Sequence, residues 1–279
     1  MKIEIRLGRK VPEPKRMKRQ PMPFSKPDRD VQRNAYHGHL VRVICLLIAC
    51  GAIVSLSTSC TSNRVEAVST QSQPITSLYY LPKDLMTSEE FKRVVGTPPT
   101  DPAQLEKDRE AVQQAQEDAP AGSQQRARAQ DQERLKVMVC NGTLGPWFRV
   151  ESFPATSNLL QKAFDDSWVV AHKAKDLHYR RRPDGTTQTS SYPSGHATEG
   201  SVLAGLLKSL DPKHAAEADK LEQEICRNRL ILKKHYPTDL QAGNRLGAWL
   251  LKDMAPSEAF KRDFAAASRE LKPSLEKSP

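Results

Sequence analysis

Two histidines in this chain stand where histidine could do chemistry. The stretch SSYPSGHATEG, residues 190–200, places Ser194 and Gly195 directly before His196. A serine in that setting suggests a serine hydrolase with Ser194 as nucleophile. The same residues also read as an anion cradle. PSGH precedes a helical run, and backbone N–H groups at a helix N-terminus attract negative charge, with His196 at the mouth. The second histidine lies in RLILKKHYPTD, where His235 follows Arg229 by six residues and Asp239 follows by four more. A carboxylate at that spacing can accept the imidazole N–H, fix the tautomer and leave the other nitrogen free to attack. Taken alone, H-x-x-x-D is more often an incidental surface pair. Lys175 and Arg182 continue an apolar stripe, and Pro183 ends it. If the helix persists, they sit about 10.5 Å apart on one face. Cations ending such a stripe are costly unless an anion meets them. Snorkelling, with stems on the core and heads in water, is the bland alternative for each residue singly. Arg229 repeats the situation one turn after Ile225.

Together these residues form a spaced pattern: K-x6-R-P at Lys175, Arg182 and Pro183; P-S-G-H at 193–196; R-x5-H-x3-D at Arg229, His235 and Asp239. The pattern resembles the three-part signature of the superfamily containing type 2 phosphatidic acid phosphatases, bacterial class A acid phosphatases and vanadium haloperoxidases. The chain's order also resembles the class A acid phosphatases, over roughly Ser77 to Leu271 and most strongly from Lys173 to Gly247: an exported body, YYLP near its start, polar helices, then the signature. The resemblance implies that Ser194 is not a nucleophile. It implies instead that Ser194, Gly195, Lys175, Arg182 and Arg229 bind the phosphate of a phosphomonoester. His235 attacks phosphorus, Asp239 holds its ring, and His196 protonates the leaving group. Three fixed cations around the equatorial oxygens would serve phosphoryl transfer without a metal or cofactor. A histidine acid with an ordinary pKa of about 6.5 favours mildly acidic pH. One departure is Asn228, where the family signature usually has serine; its amide donates a hydrogen bond but reaches differently.

The elements that must position these residues read as helices. Leu160, Phe164, Trp168 and Ala171 share one stripe at helical spacing. SVLAGLLKSL forms a second helix and ADKLEQEICRNRLIL a third through Leu221, Ile225 and Leu232. A fourth follows Pro237, which suits a first-turn position, and runs through Leu240 and Leu246 to Leu251. Residues 101–117 and 123–138 favour helix and are broken by APAG; sparse apolar positions make them two solvent-facing helices rather than a coiled coil. No run alternates long enough for a strand. The expected fold is all-α, a single helical-bundle domain over residues 77–279.

Net charge is +10, but residues 1–42 hold 12 Lys/Arg against 4 Asp/Glu, leaving 31 against 29 in the remainder. The body is nearly neutral, so a nucleic-acid-binding surface is not supported. The basic leader meets VICLLIACGAIVSL, Val43 to Leu56, the length of a signal h-region and short for a membrane span. STSC, ending at Cys60, resembles a lipobox, so residues 1–60 read as an export segment with Cys60 as lipidation candidate. LIAC ending at Cys50, an uncleaved anchor and cleavage near Ala67 are the alternatives. Residues 61–76 read as a polar tether, and the body as periplasmic or envelope-located, touching the membrane only through its N-terminus. Cys140 and Cys226 either pair or stay as separate buried thiols. The sequence is compatible with a homo-oligomer and does not set the oligomeric state.

Other readings remain at this stage. A lipid-phosphate phosphatase typically threads several membrane helices, and this chain has one apolar segment. A vanadate-dependent peroxidase would use the same cradle. A non-catalytic anchored binding module would not need both histidines and Asp239. A metal site from His178, His196, His235 and Asp239 fits no compact ligand motif, and the nearby cations disfavour it.

Overall fold

A computed structural model describes residues 78–277, all within one unit of the chain, Ser69–Pro279. The export segment, the tether and Cys60 lie outside the described residues. Among those described there is no strand, and the fold is all-α as expected. The helices are α1 Glu89–Val95, α2 Pro102–Asp118, α3 Gln124–Asp131, α4 Pro154–Ala174, α5 Gly195–Leu210, α6 Ala215–Ile231, α7 Pro237–Met254 and α8 Glu258–Leu275. No helix among these residues is long and apolar enough to cross a membrane.

Helix α5 is the axle. It packs against α4, α6 and α7, and Val202, Leu203, Ala204, Leu206 and Leu207 are all fully buried. A helix apolar on nearly every side is stable only when surrounded. Burying each leucine contributes about 1.5–3 kcal/mol. Two glycines of α7 let it lie directly on the first turns of α5. A Cβ on Gly243 would stand 2.4 Å from the Ser194 carbonyl oxygen, and one on Gly247 2.5 Å from that of Thr198. Both obstacles are backbone, so a side chain there would push the helices apart at the site.

Helix starts follow local chemistry. Ser88, Asp101, Ser123, Ser194 and Ser257 cap α1, α2, α3, α5 and α8 through their side chains, and prolines open α2, α4 and α7. The start of α4 is capped from elsewhere in the chain. Phe153 offers no side-chain cap, and Glu270 of α8 accepts the Ala155 and Thr156 N–H groups instead, at 3.0 and 2.8 Å. The YYLP segment is pinned to α4 by Asp166, which accepts from Tyr79 and Tyr80 N–H at 2.7 and 2.8 Å.

Several expectations need correction. Helix α4 stops at Ala174, so Lys175 and Arg182 do not share a helix face; Arg182 lies in the following loop. Leu160 and Ala171 are buried, but Trp168 is 44% exposed. The α4 seam runs instead through Leu159, Ala163, Ser167, Val170 and Ala174, because small side chains let α5 approach. The second polar helix is short: α3 ends at Asp131, and Val137–Cys140 is a 3-10 turn. Cys140 and Cys226 do not pair; both are free thiols. Helix α8, whose Phe260, Ala267 and Leu271 are buried, closes the bundle against α4.

Candidate active site

Three segments meet above the N-terminus of α5: the loop after α4, the turn after α3, and the α6–α7 connection. They enclose a cavity of about 310 Å³ lined by Lys175, Arg182, Gly195, His196, Arg229 and His235, together with Glu199 and Glu133. Six of the eight residues singled out from the sequence therefore share one wall. Ser194 and Asp239 stand behind it. Ser194 is fully buried, and its Oγ accepts the Ala197 N–H at 3.3 Å as the cap of α5. One of its two lone pairs is spent on the helix, which orients the hydroxyl. His178 is elsewhere, edge-on to Tyr192 with ring centroids 6.3 Å apart. Among the described residues no three His, Cys, Asp or Glu side chains gather as a metal-binding group. A larger cleft of about 760 Å³ lies alongside, between the α3 turn and α6, but it contains neither histidine.

The three cations are held differently. Lys175 donates to the Ser190 carbonyl at 3.1 Å and to that of Pro193. Burial, then the neighbouring Arg182, lowers its pKa to about 7. Arg182 donates to the Lys234 carbonyl at 2.9 Å and to Thr189 Oγ1 at 3.0 Å. Arg229 is 5% exposed, yet its Nε and Nη1 are buried and have no hydrogen-bond partner among the described residues. Burial and Arg182 push its pKa down to about 10. Unmet guanidinium N–H groups in a polar cavity are an invitation to an oxyanion, since leaving them so costs stability.

His235 is 3% exposed. Its Nδ1 faces the Ser191 carbonyl oxygen at 2.7 Å, whereas the nearest oxygen of Asp239 is 3.8 Å away. This corrects the expected pairing. Nδ1–H donates to a backbone carbonyl, which fixes the tautomer and leaves Nε2 as an acceptor on the cavity side, where its lone pair takes a long hydrogen bond of 3.4 Å from Arg182 Nη1. Asp239 is otherwise engaged. Its Oδ1 accepts from Arg180 Nη1 at 2.7 Å and its Oδ2 from the Tyr236 N–H at 2.8 Å. Burial would raise Asp239, but His235 and Arg180 outweigh it and keep the carboxylate ionised. Burial lowers His235 to about 3, so its imidazole is neutral and nucleophilic.

His196 turns Nε2 to the Glu133 carbonyl at 3.1 Å, while Nδ1 lies 3.8 Å from Glu199 Oε2, three residues along α5. Burial, then Arg229 and His235, lowers its pKa to about 3. The ordinary value assumed from residue type does not apply in this setting. An oxyanion set against the same arginines opposes that shift, because it favours the imidazolium.

Four features escaped sequence reading. Arg180 is the hub behind His235. It bonds Asp239, Thr238 Oγ1 at 2.7 Å and Asp108 of α2 at 2.8 Å, and its guanidinium lies 4.2 Å from the Tyr236 ring centre. Spacing selected Arg182 from HYRRRP and gave no reason to separate Arg180. Asp108, fully buried, is anonymous in a polar helix. Glu199 is a charged residue that spacing alone does not place, and it is buried because α5 is packed on nearly every side. Trp168 and Phe164, taken as core, line the cavity with Leu135. Asn228 bonds sideways to Gln132 Oε1 at 2.7 Å and so faces α3 rather than the anion.

The result is an all-α domain whose site can hold a multiply charged oxyanion between three cations, beside a neutral histidine lone pair. Its sequence is similar to that of the acid phosphatase of Zymomonas mobilis subsp. mobilis, 28% identical over 136 residues, which is 44% of this chain and 52% of that protein. It is also similar to the non-specific acid phosphatases of Salmonella typhimurium, 29% identical over 133 residues (42% and 53%), and Providencia stuartii, 23% over 133 residues (42% and 54%). The matched region spans about half the length of these relatives. No family model matches the chain.

Proposed function

We propose that this protein is an exported acid phosphatase that hydrolyses phosphomonoesters through a phosphohistidine, without a metal. The observation that carries the reading is Arg229, a buried cation with two nitrogens unmet among the described residues, lining a cavity shared with Lys175, Arg182 and His235, whose Nε2 accepts only a long bond from Arg182. The names of its sequence relatives support the same activity.

In the first step His235 Nε2 forms a bond to phosphorus as the bond to the ester oxygen breaks. Lys175, Arg182, Arg229 and the Gly195 N–H stabilise the equatorial oxygens, and preorganised charge of this kind typically supplies the largest share of rate. His196 gives the departing oxygen a proton. In the second step water attacks phosphorus, the P–N bond breaks, and the water's proton returns to His196. Arg180 holds Asp239, whose charge stabilises the imidazolium character that develops on His235. The body acts outside the cytoplasm, tethered through Cys60.

Phosphate release from a panel of alkyl and aryl monoesters, at pH 4–8 with and without chelator, tests the activity. Rapid quench with labelled ester tests the intermediate: an acid-labile phosphoenzyme, absent in His235→Ala, is expected. A stable phosphoserine at Ser194, or activity lost to chelator, would overturn the reading. Membrane fractionation of Cys60→Ala checks the anchor; association and apparent mass both unchanged would remove it.

A further inference from the structure

Glu199 is a carboxyl group in the interior of the bundle that no packing argument explains. It lies on α5 among buried Ala197, Gly200, Val202 and Leu203, and is 2% exposed. Among the described residues its side chain has no hydrogen-bond partner, and it lines the cavity. His196 Nδ1 lies 3.8 Å from its Oε2. An unpaired carboxyl in such a place is costly, so a purely structural position would carry an apolar residue. The other nitrogen of His196 is committed to the Glu133 carbonyl, which leaves Nδ1 as the one that can exchange a proton.

We propose that Glu199 and His196 share a single catalytic proton, Glu199 acting as the reservoir from which His196 is recharged. The inference rests on the phosphomonoesterase reading and adds a positioning and proton-holding residue to it. A turn of the carboxyl group closes the gap to hydrogen-bond length. The proton passes from Glu199 Oε2 to His196 Nδ1, and from there to the departing alkoxide, leaving Glu199 as carboxylate. In the second half-reaction the proton that water loses on attacking phosphorus returns along the same route. Protons balance over the cycle, and no other reactant is needed.

Burial, against the surrounding cations, keeps a proton on the Glu199 carboxyl. The titratable and charged groups that share its cavity are Lys175 at the end of α4, His172 on α4, Arg229 on α6, Arg182 and His235 in the flanking loops, His196 on its own helix, and Glu133 and Arg134 in the α3 turn. Burial raises the Glu199 pKa to about 7 although Arg229 and Lys175 pull it down. His196 is lowered to about 3, so in mildly acidic solution the couple's proton rests on Glu199. A neutral carboxylic acid also avoids repelling the phosphate that the cations attract.

The alternative is that Glu199 is only a counter-ion to Lys175 and Arg229, and the full chain carrying Glu199→Gln or Glu199→Asp separates the two. For a shared proton, Glu199→Gln costs about tenfold more kcat/KM on an alkyl phosphate than on p-nitrophenyl phosphate, since general acid catalysis is typically worth about 10²–10⁴-fold where the leaving group needs it. The alkaline limb of the alkyl-ester pH profile moves, and Glu199→Asp restores part of the difference. Equal losses on both esters, with tighter binding of inorganic phosphate, would mean a counter-ion and overturn the proposal. Nitrogen-15 NMR of His196 gives a readout independent of turnover. Its Nδ1 signal should titrate with a midpoint near 7 in wild type and not in Glu199→Gln; identical titrations would also sink the idea. If wild type hydrolyses neither ester, the phosphatase reading fails and the NMR comparison alone decides the proton sharing.

Discussion

Replacing Arg229 by methionine separates what the cradle costs from what it does. Arg229 is 5% exposed, and its Nε and Nη1 meet no partner among the described residues. Its pKa is pushed down to about 10, chiefly by burial and then by Arg182. One pK unit corresponds to about 1.4 kcal/mol, so the charged form is disfavoured by roughly 3 kcal/mol in this setting. Methionine keeps an unbranched stem and removes the charge and the unmet donors. Arg229→Met should therefore raise the unfolding free energy by about 1–3 kcal/mol, in line with buried charges replaced by apolar groups. At about 2–4 °C per kcal/mol for a domain of this size, thermal denaturation resolves the change. Inorganic phosphate should raise the Tm of wild type and leave that of the variant unmoved, and ester hydrolysis should nearly vanish. If the variant is less stable by more than about 1 kcal/mol and phosphate still stabilises it, the picture of Arg229 as an uncompensated anion ligand is wrong.

Asp108→Ala removes one of the two carboxylates that Arg180 pairs with, and breaking a buried pair costs about 3–5 kcal/mol; denaturant melts should show that loss with a lowered kcat, and a neutral result would remove Arg180 as the hub. Lys175 has its folded pKa lowered to about 7. The unfolded chain therefore binds an extra proton above that pH, and stability should rise between pH 7 and 9 by up to about 1.4 kcal/mol per pH unit. Lys175→Met should flatten that slope. Asn228 faces Gln132, so Asn228→Ser should change kcat/KM by no more than about tenfold, the worth of one neutral hydrogen bond; abolished activity would give it a direct role. Trp168→Ala should raise KM for aryl esters more than for glycerol phosphate, because the ring lines the cavity mouth; equal effects would refute stacking.

The helices of the bundle and most of the cavity's cations and histidines were legible in the sequence, because their signals are local. A stripe at helical spacing, a serine or aspartate before a helix, and a proline in its first turn act within a few residues of themselves. The spacing of Lys175, Arg182, His196, Arg229 and His235 carried the site for the same reason: each motif sits where a helix begins or ends. Partner choice was not local. Asp239 stands four residues after His235 and looked like its partner, yet Arg180 and the Tyr236 N–H occupy its oxygens, and the Ser191 carbonyl, 44 residues away, takes the imidazole proton. Asp108 reaches Arg180 across 72 residues, and Glu270 caps α4 from 114 residues downstream. Nothing near those residues in the chain distinguishes them from other acids on polar helices. Only packing α5 against α4, α6 and α7 decides that Glu199 is buried, Trp168 is not, and Arg229 keeps two donors unmet, because burial and hydrogen-bond satisfaction are properties of neighbours brought from elsewhere in the chain.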